Sequence, residues 1–245
     1  MKSIKLSVFA VLLSFFCSNS NAQTADEIIN KYITTIGGVD KLKAMKAIKM
    51  EMSTNQGGME IPVEVVRAAD GKMYVKINLQ GKEITQMAYD GTTMWNTSFM
   101  TMKAEKAPEE DTQNMKLKNG DFPEEFLDYK TKGYKVEYIG KETKEGTECF
   151  KVKLTKKPTT IAGIKTDDVT FYYFETENNL VIATEEEIKE GPMKGQKELT
   201  TMSDYQEVDG IYFPFSVNQG GQPMKVKKIT VNPTIDAKAF AFPAQ

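Results

Sequence analysis

Chemistry in this sequence would have to come from carboxylates and lysines. The 245-residue chain carries 34 acidic side chains, 31 lysines, a single arginine (Arg67), two cysteines and no histidine. The missing histidine removes Ser-His and Cys-His triads, His-ligated zinc and histidine pH switches together. Acidic groups gather at Glu109/Glu110, Asp167/Asp168 and Glu185/Glu186/Glu187. A glycosidase would need two carboxylates at a set separation across a cleft. These runs fall at expected turns or on solvent-facing positions, where a hydrated surface is the ordinary explanation. No D-x-D-x-D-G calcium loop and no glycine-rich phosphate loop is present, so no metal and no cofactor is expected. The chain therefore reads as a non-enzyme.

Binding finds more support. A lone guanidinium on a strand suits a carbonyl, a lipid headgroup or the latch of a lid, but a surface ion pair is its more usual role and is the expectation here. Thirteen methionines follow Met1, and nine of them lie between Met45 and Met102. Methionine is flexible and polarisable, and it serves adaptable apolar binding surfaces as well as irregular core gaps. The pairs Met50/Met52 and Met100/Met102 each fall on one face of a strand. Thioether capture of copper(I) would lack its usual Cys or His support. Rings run consecutively at Tyr172-Tyr173-Phe174 and through Ile211-Tyr212-Phe213-Pro214-Phe215, so both faces of those strands are expected to be buried. Trp95 is the only tryptophan. Its face alternates with that of Met94, and only one of the two can point inward.

The elements that position these groups are mostly strands. Thr24 and Glu27 form a capping box, and Ile28, Ile29, Tyr32, Ile33 and Ile36 share one helical face that stops at Gly37-Gly38. A short second helix carries Leu42 and Met45 toward the same core. From Ile48 the period is two. Apolar faces recur at Met50/Met52, at Met59/Ile61/Val63/Val65, at Met73/Val75/Ile77/Leu79, at 84–89 and at 93–102, separated by glycine turns. Pro62 predicts an edge position or a bulge. Residues 107–132 read as a helical insertion with starts at Pro108 and, through an Asp121/Glu124 capping box, at Asp121. Seven further strands follow, giving about twelve. That many antiparallel strands must curl or split, and no linker divides the chain.

Residues 1–22 read as an export signal. Lys2 and Lys5 precede an apolar run at 6–16, too short to span a bilayer comfortably, and Ser20-Asn21-Ala22 predicts cleavage between Ala22 and Gln23. Cys17 follows Phe16 rather than a small residue, which argues against a lipid-modified cysteine. Residues 23–245 then form one exported domain of net charge −4 without a basic stripe, and nucleic acid is not expected as a partner. Cleavage leaves Cys149 alone, in an alternating stretch that predicts a buried small hydrophobe.

A wrapped sheet of eleven or twelve strands leaves spare volume unless something plugs it. The N-terminal helix and the 107–132 insertion are the available plugs. A loose interior would be an apolar ligand cavity, and a filled one an envelope scaffold or regulatory protein-binding module.

Several segments carry a family resemblance. They are Tyr32-Ile33-Thr34-Thr35-Ile36-Gly37-Gly38 followed by Val39-Asp40-Lys41-Leu42, then Tyr89-Asp90-Gly91-Thr92-Thr93-Met94-Trp95. Near the end come Asp204-Tyr205-Gln206-Glu207-Val208-Asp209-Gly210-Ile211-Tyr212-Phe213-Pro214-Phe215, Val231-Asn232-Pro233 and Phe240-Ala241-Phe242-Pro243. In this order they resemble the outer-membrane lipoprotein-sorting (LolA-like) proteins, especially the forms of Bacteroidetes-type bacteria, over essentially the whole mature chain. The resemblance implies a mainly β fold, a half-open antiparallel barrel of about 11–12 strands lidded by helices. It implies a soluble periplasmic carrier for lipid or for the acyl chains of lipoproteins. Such a carrier takes cargo from an inner-membrane lipoprotein-release transporter to an outer-membrane receptor. Other members of the superfamily bind other lipids or regulate envelope stress. The family's lid-holding arginine lies in an early strand, where Arg67 is the candidate. The expected cavity lining is Met50, Met52, Ile61, Val63, Val65, Met73, Val75 and Ile77, with Arg67, Met94 and Trp95 beside it.

Overall fold

Thr24 caps the helix that its T-x-x-E pattern predicts. In the computed structural model, which describes residues 23–243, the Thr24 hydroxyl accepts from the Glu27 amide and the Glu27 carboxylate accepts from the Thr24 amide. The helix, α1 (Ala25–Thr35), buries Ile28, Ile29, Tyr32 and Ile33. Gly37 ends it at a φ of 134°, and a Cβ there would stand 2.7 Å from the Gly210 carbonyl oxygen. Only glycine allows that approach. A short α2 (Val39–Ala44) then sends Leu42 and Met45 into the same core. The export signal expected at residues 1–22 lies outside the described residues.

Fifteen strands follow in two runs. The first is β1 (Ala47–Gln56), β2 (Met59–Ala68), β3 (Met73–Leu79), β4 (Lys82–Tyr89), β5 (Met94–Thr97) and β6 (Ala104–Lys106). After α3 (Glu109–Asn119) come β7 (Lys135–Lys144), β8 (Thr147–Thr155), β9 (Thr159–Ile161), β10 (Ile164–Thr166), β11 (Val169–Glu175) and β12 (Val181–Glu187). The last three are β13 (Lys197–Val208), β14 (Ile211–Gln219) and β15 (Gln222–Val231). Thirteen form one antiparallel sheet, ordered β6-β5-β4-β3-β2-β1-β15-β14-β13-β12-β11-β8-β7, and β9 and β10 form a separate hairpin. The sheet is mainly antiparallel meander, joined at β1 and β15, and its ends β6 and β7 do not pair. It is half-open, as expected.

The sheet must curl. Ile28, Ile29 and Tyr32 share one cluster with side chains from Ile48 on β1 through Ile229, Ile211, Val181 and Tyr172 to Val152 on β8. Those strands span seven neighbouring positions, about 29 Å if flat at the usual strand spacing. A helix only about 10 Å across meets them all if the sheet bends around it. α1 thus sits in the trough of the curled sheet.

Three local expectations are corrected, and one holds only locally. The run at 93–102 is not one strand: the chain turns at residues 98–103, and β5 pairs with β6. Asp121 does not cap a helix, because its carboxylate serves Lys132, Tyr134 and Lys156, and residues 121–133 form a strap of turns. Pro62 lies on an inner strand of the sheet, yet at a local edge as expected. It pairs with Ser53 on β1, but β3 begins pairing only at Val63, so its other side has no ladder to lose. Tyr212 is 39% exposed, so β14 buries only one face along Phe213 and Phe215. Tyr173 and Phe174 do point to opposite faces, each buried.

The outer face of the first run has its own small core. Val66, Tyr74, Ala88 and Trp95 lie there under Phe240 and Phe242 of the C-terminal segment. Cys149 is buried on the outer face of the second run beside Tyr173 and Ala183, and burial pushes its thiol up. No helix among the described residues is long and apolar enough to cross a membrane.

Candidate functional site: a cavity between sheet, plug and strap

A cavity of about 670 Å³ opens where α1, α2 and the strap meet the inner face of the sheet. The helices supply an apolar wall of Ile36, Leu42 and Met45. Arg67 of β2 and Met73 of β3 form one side, and Val181, Met202 and Tyr205 form the far side. The strap brings Asp121, Glu124 and Glu125, which face Lys156 and Asp168. One half of the cavity is therefore oily and the other charged, where sequence reasoning expected an apolar lining alone.

The charged half is largely paired. Lys156 Nζ lies 3.1 Å from Glu125, 3.3 Å from Asp121 and 3.7 Å from Asp168. Burial opposes its charge, but Glu125, Asp168 and Asp121 together hold it above the ordinary lysine value. Asp121 also takes Lys132 at 3.2 Å and the Tyr134 hydroxyl at 2.8 Å. Tyr172 donates to Glu125. Glu124 accepts from the Tyr32 hydroxyl at 2.9 Å and from the Phe126 amide at 3.3 Å. Burial first, then the neighbouring Glu125 charge, pushes Glu124 up to about 7. Burial and the adjacent carboxylates raise the Tyr32 and Tyr172 phenols well above their usual value.

Arg67 is different. Among the described residues it takes part in no ion pair, and its guanidinium stands over the Phe122 ring at 5.7 Å. Burial lowers its pKa, and Glu125, Asp121 and Glu124 offset that only in part.

The remaining expected lining residues sort by register. Arg67 pairs with Ile48 and Met73, and Met73 pairs with Tyr89, which pairs with Met94. The next inner row is Met50, Val65, Val75 and Met87, and the next is Met52, Val63, Ile77 and Ile84. Ile61 continues β2 beyond them and is buried. Of the eleven residues, Arg67 and Met73 line the cavity itself. The seven half-buried members of the two lower rows form an apolar shelf beside it. Met94 lies on the inner face beneath α3, where its amide meets the Thr112 hydroxyl at 3.4 Å. Trp95 is on the other face: it pairs with Ala88, and its indole donates to the Phe240 carbonyl at 2.9 Å.

Sequence reasoning missed Asp121, Glu124, Glu125, Lys156 and Asp168. The available signal was two charges placed against Phe126 and Leu127, both buried in the core. A carboxylate flanking such rings is hard to keep fully hydrated.

No family model and no curated protein sequence matches the chain. Solved structures do. A LolA-superfamily protein from Nitrosomonas europaea superposes with a TM-score of 0.54 at 13% identity, over 90% of this chain and 98% of that one. A DUF1329 family protein from Desulfovibrio piger gives 0.53 at 13% identity, over 88% and 96%. At such identity the likeness is one of architecture, and the chain has the half-open antiparallel fold of the LolA superfamily.

Proposed function

We propose that the chain is a non-enzymatic carrier that holds a lipid, or the acyl chains of a lipoprotein, against the inner face of its first six strands. The observation that carries this reading is the shelf beside the cavity. Met50, Val65, Val75, Met87, Met52, Val63 and Ile77 are adjacent, apolar and only half-buried. Contiguous exposed apolar surface on a water-soluble chain marks a site where something apolar binds. The second run holds α1 and the far wall of the cavity, so it serves as the frame, and the first run carries the shelf.

The fold of the two superposed proteins supports the same reading at the level of architecture. With the export signal read from residues 1–22, the carrier works in the periplasm as one domain over 23–245. It moves cargo toward the outer membrane between an inner-membrane lipoprotein-release transporter and an outer-membrane receptor. The competing reading is an envelope scaffold that uses the packed half alone.

The two separate in one experiment. The mature chain is purified from membrane-containing cells and analysed by native mass spectrometry and lipid extraction. Co-purifying acyl lipid is the expected result. A chain that is lipid-free and also fails to take up a fluorescent fatty acid overturns the carrier reading in favour of the scaffold.

A further inference from the structure

The cavity and the shelf are joined by one strand. Arg67, Val65, Val63 and Ile61 are successive inner-facing residues of β2. Arg67 opens into the cavity, and the other three run away from it along the apolar rows. Six residues of strand cover about 20 Å, roughly the reach of an extended sixteen-carbon chain.

The charge at the head of this track has no direct ion-pair partner among the described residues, and Glu125, Asp121 and Glu124 offset its burial only in part. Lys156 in the same cavity is committed to Asp121, Glu125 and Asp168. Lys118, on the rim, is exposed to solvent. Arg67 is half-buried, and among the described residues its one close partner is the face of Phe122. A guanidinium withdrawn from water without an anion pays a desolvation cost that a carboxylate or phosphate oxygen pair would offset, because its fork matches such groups two bonds at a time. The nearby acids do not supply that anion. Asp121 and Glu125 are already bound by lysines, and Glu124 is turned to Tyr32 and the Phe126 amide.

We propose that the ligand is an anionic amphiphile, its carboxylate or phosphate head held by Arg67 in the cavity and its acyl chain lying along Val65, Val63 and Ile61. This rests on the carrier reading and narrows it. Acyl groups borne on an uncharged anchor offer Arg67 only a neutral carbonyl, a weaker partner than a carboxylate or phosphate. Phe122, over the guanidinium, closes the head end from the strap side.

The test uses the mature chain with cis-parinaric acid and its methyl ester, which share one fluorescent chain and differ in head charge. At pH 8 the wild type is expected to bind the acid at least tenfold more tightly than the ester. Arg67→Gln should bind the two alike, at the wild-type affinity for the ester, and Arg67→Lys should keep part of the preference. Circular dichroism checks the fold of both variants, and the wild-type comparison needs no variant. Acetate and inorganic phosphate should not displace the acid at matched concentrations. Equal wild-type affinity for acid and ester overturns the head assignment and leaves the carrier reading standing. Displacement by phosphate as effective as by the acid overturns it in favour of a small-anion site. Binding of neither probe overturns both readings.

Discussion

Tyr32 donates its phenol hydrogen to Glu124 at 2.9 Å and so ties the plug helix to a residue 92 positions further along. The strap is joined to the helices at two more points, one on α1 and one on α2. Asp26 accepts from Tyr129 and Lys130, and Lys43 pairs with Asp128 at 2.8 Å. Helix and strap are therefore tied to each other as well as to the sheet. The exposed outer pairs add little individually, while the buried Tyr32–Glu124 bond carries most of the restraint.

The Glu124 bond makes stability depend on pH. Its carboxyl is pushed up to about 7 from an ordinary 4.5. Between those values the folded chain keeps a proton that the unfolded chain releases, so stability falls as pH rises through that window and levels off above it. Glutamine cannot ionise and still accepts the Tyr32 bond. Urea denaturation of the wild type should show a loss on the order of 2 kcal/mol between pH 5 and pH 8 that Glu124→Gln does not share. Parallel pH profiles for the two proteins would show that Glu124 is ionised throughout.

Lys156 should be the costliest charge to remove. It reaches three carboxylates, of which only Asp121 has a second lysine, Lys132, and its side chain is only 14% exposed. Lys156→Met leaves Asp121, Glu125 and Asp168 facing one another, at about 3–5 kcal/mol near neutral pH. A variant as stable as the wild type at pH 7 would mean that the carboxylates find solvent instead.

Phe126 joins strap to sheet through rings. It meets Tyr172 at 4.8 Å, Phe174 at 5.7 Å and Tyr32 at 6.2 Å between centroids. Phe126→Ala leaves a cavity among groups that cannot collapse without moving α1, and should cost about 3–5 kcal/mol. Hydrogen exchange should show α1 amides losing protection before those of β1 or β15. Uniform loss across both would place α1 in the same cooperative unit as the sheet.

What the sequence disclosed follows from range. The first helix was legible because capping box, apolar spacing and glycine stop all agree within a few residues. The strands were legible through alternation and turn chemistry. Asp121 was misread because a capping box looks only three residues ahead, while its true partner Lys156 arrives 35 residues later. The break after Thr97 was hidden because Met100 and Met102 continue the alternation, although Met100 is 96% exposed in a turn. The amphipathic cavity was hidden for the same reason as Asp121: Asp168 beside a turn looks hydrated until Lys156 is folded against it. Register alone separated Met94 from Trp95, and the sequence could say only that they differ.

Trp95 supplies a built-in probe of the face opposite the cavity. It is 4% exposed, its indole donates to the Phe240 carbonyl, and its ring meets Phe242 edge-on at 6.0 Å. Deleting residues 237–245 removes both rings and the acceptor. The emission of this single tryptophan should then shift to longer wavelength, and the chain should lose about 2–3 kcal/mol, the worth of one buried phenylalanine. The intact chain offers the complementary measurement. Tyr74, Ala88 and Val66 lie in the sheet layer beside Trp95, and the inner rows project from the other side of the same strands. A brominated fatty acid, which quenches only on near contact, should leave Trp95 emission unchanged when bound on the inner face. Strong quenching would put the acyl chain on the outer face beneath the C-terminal segment, and the inner shelf would then need another explanation.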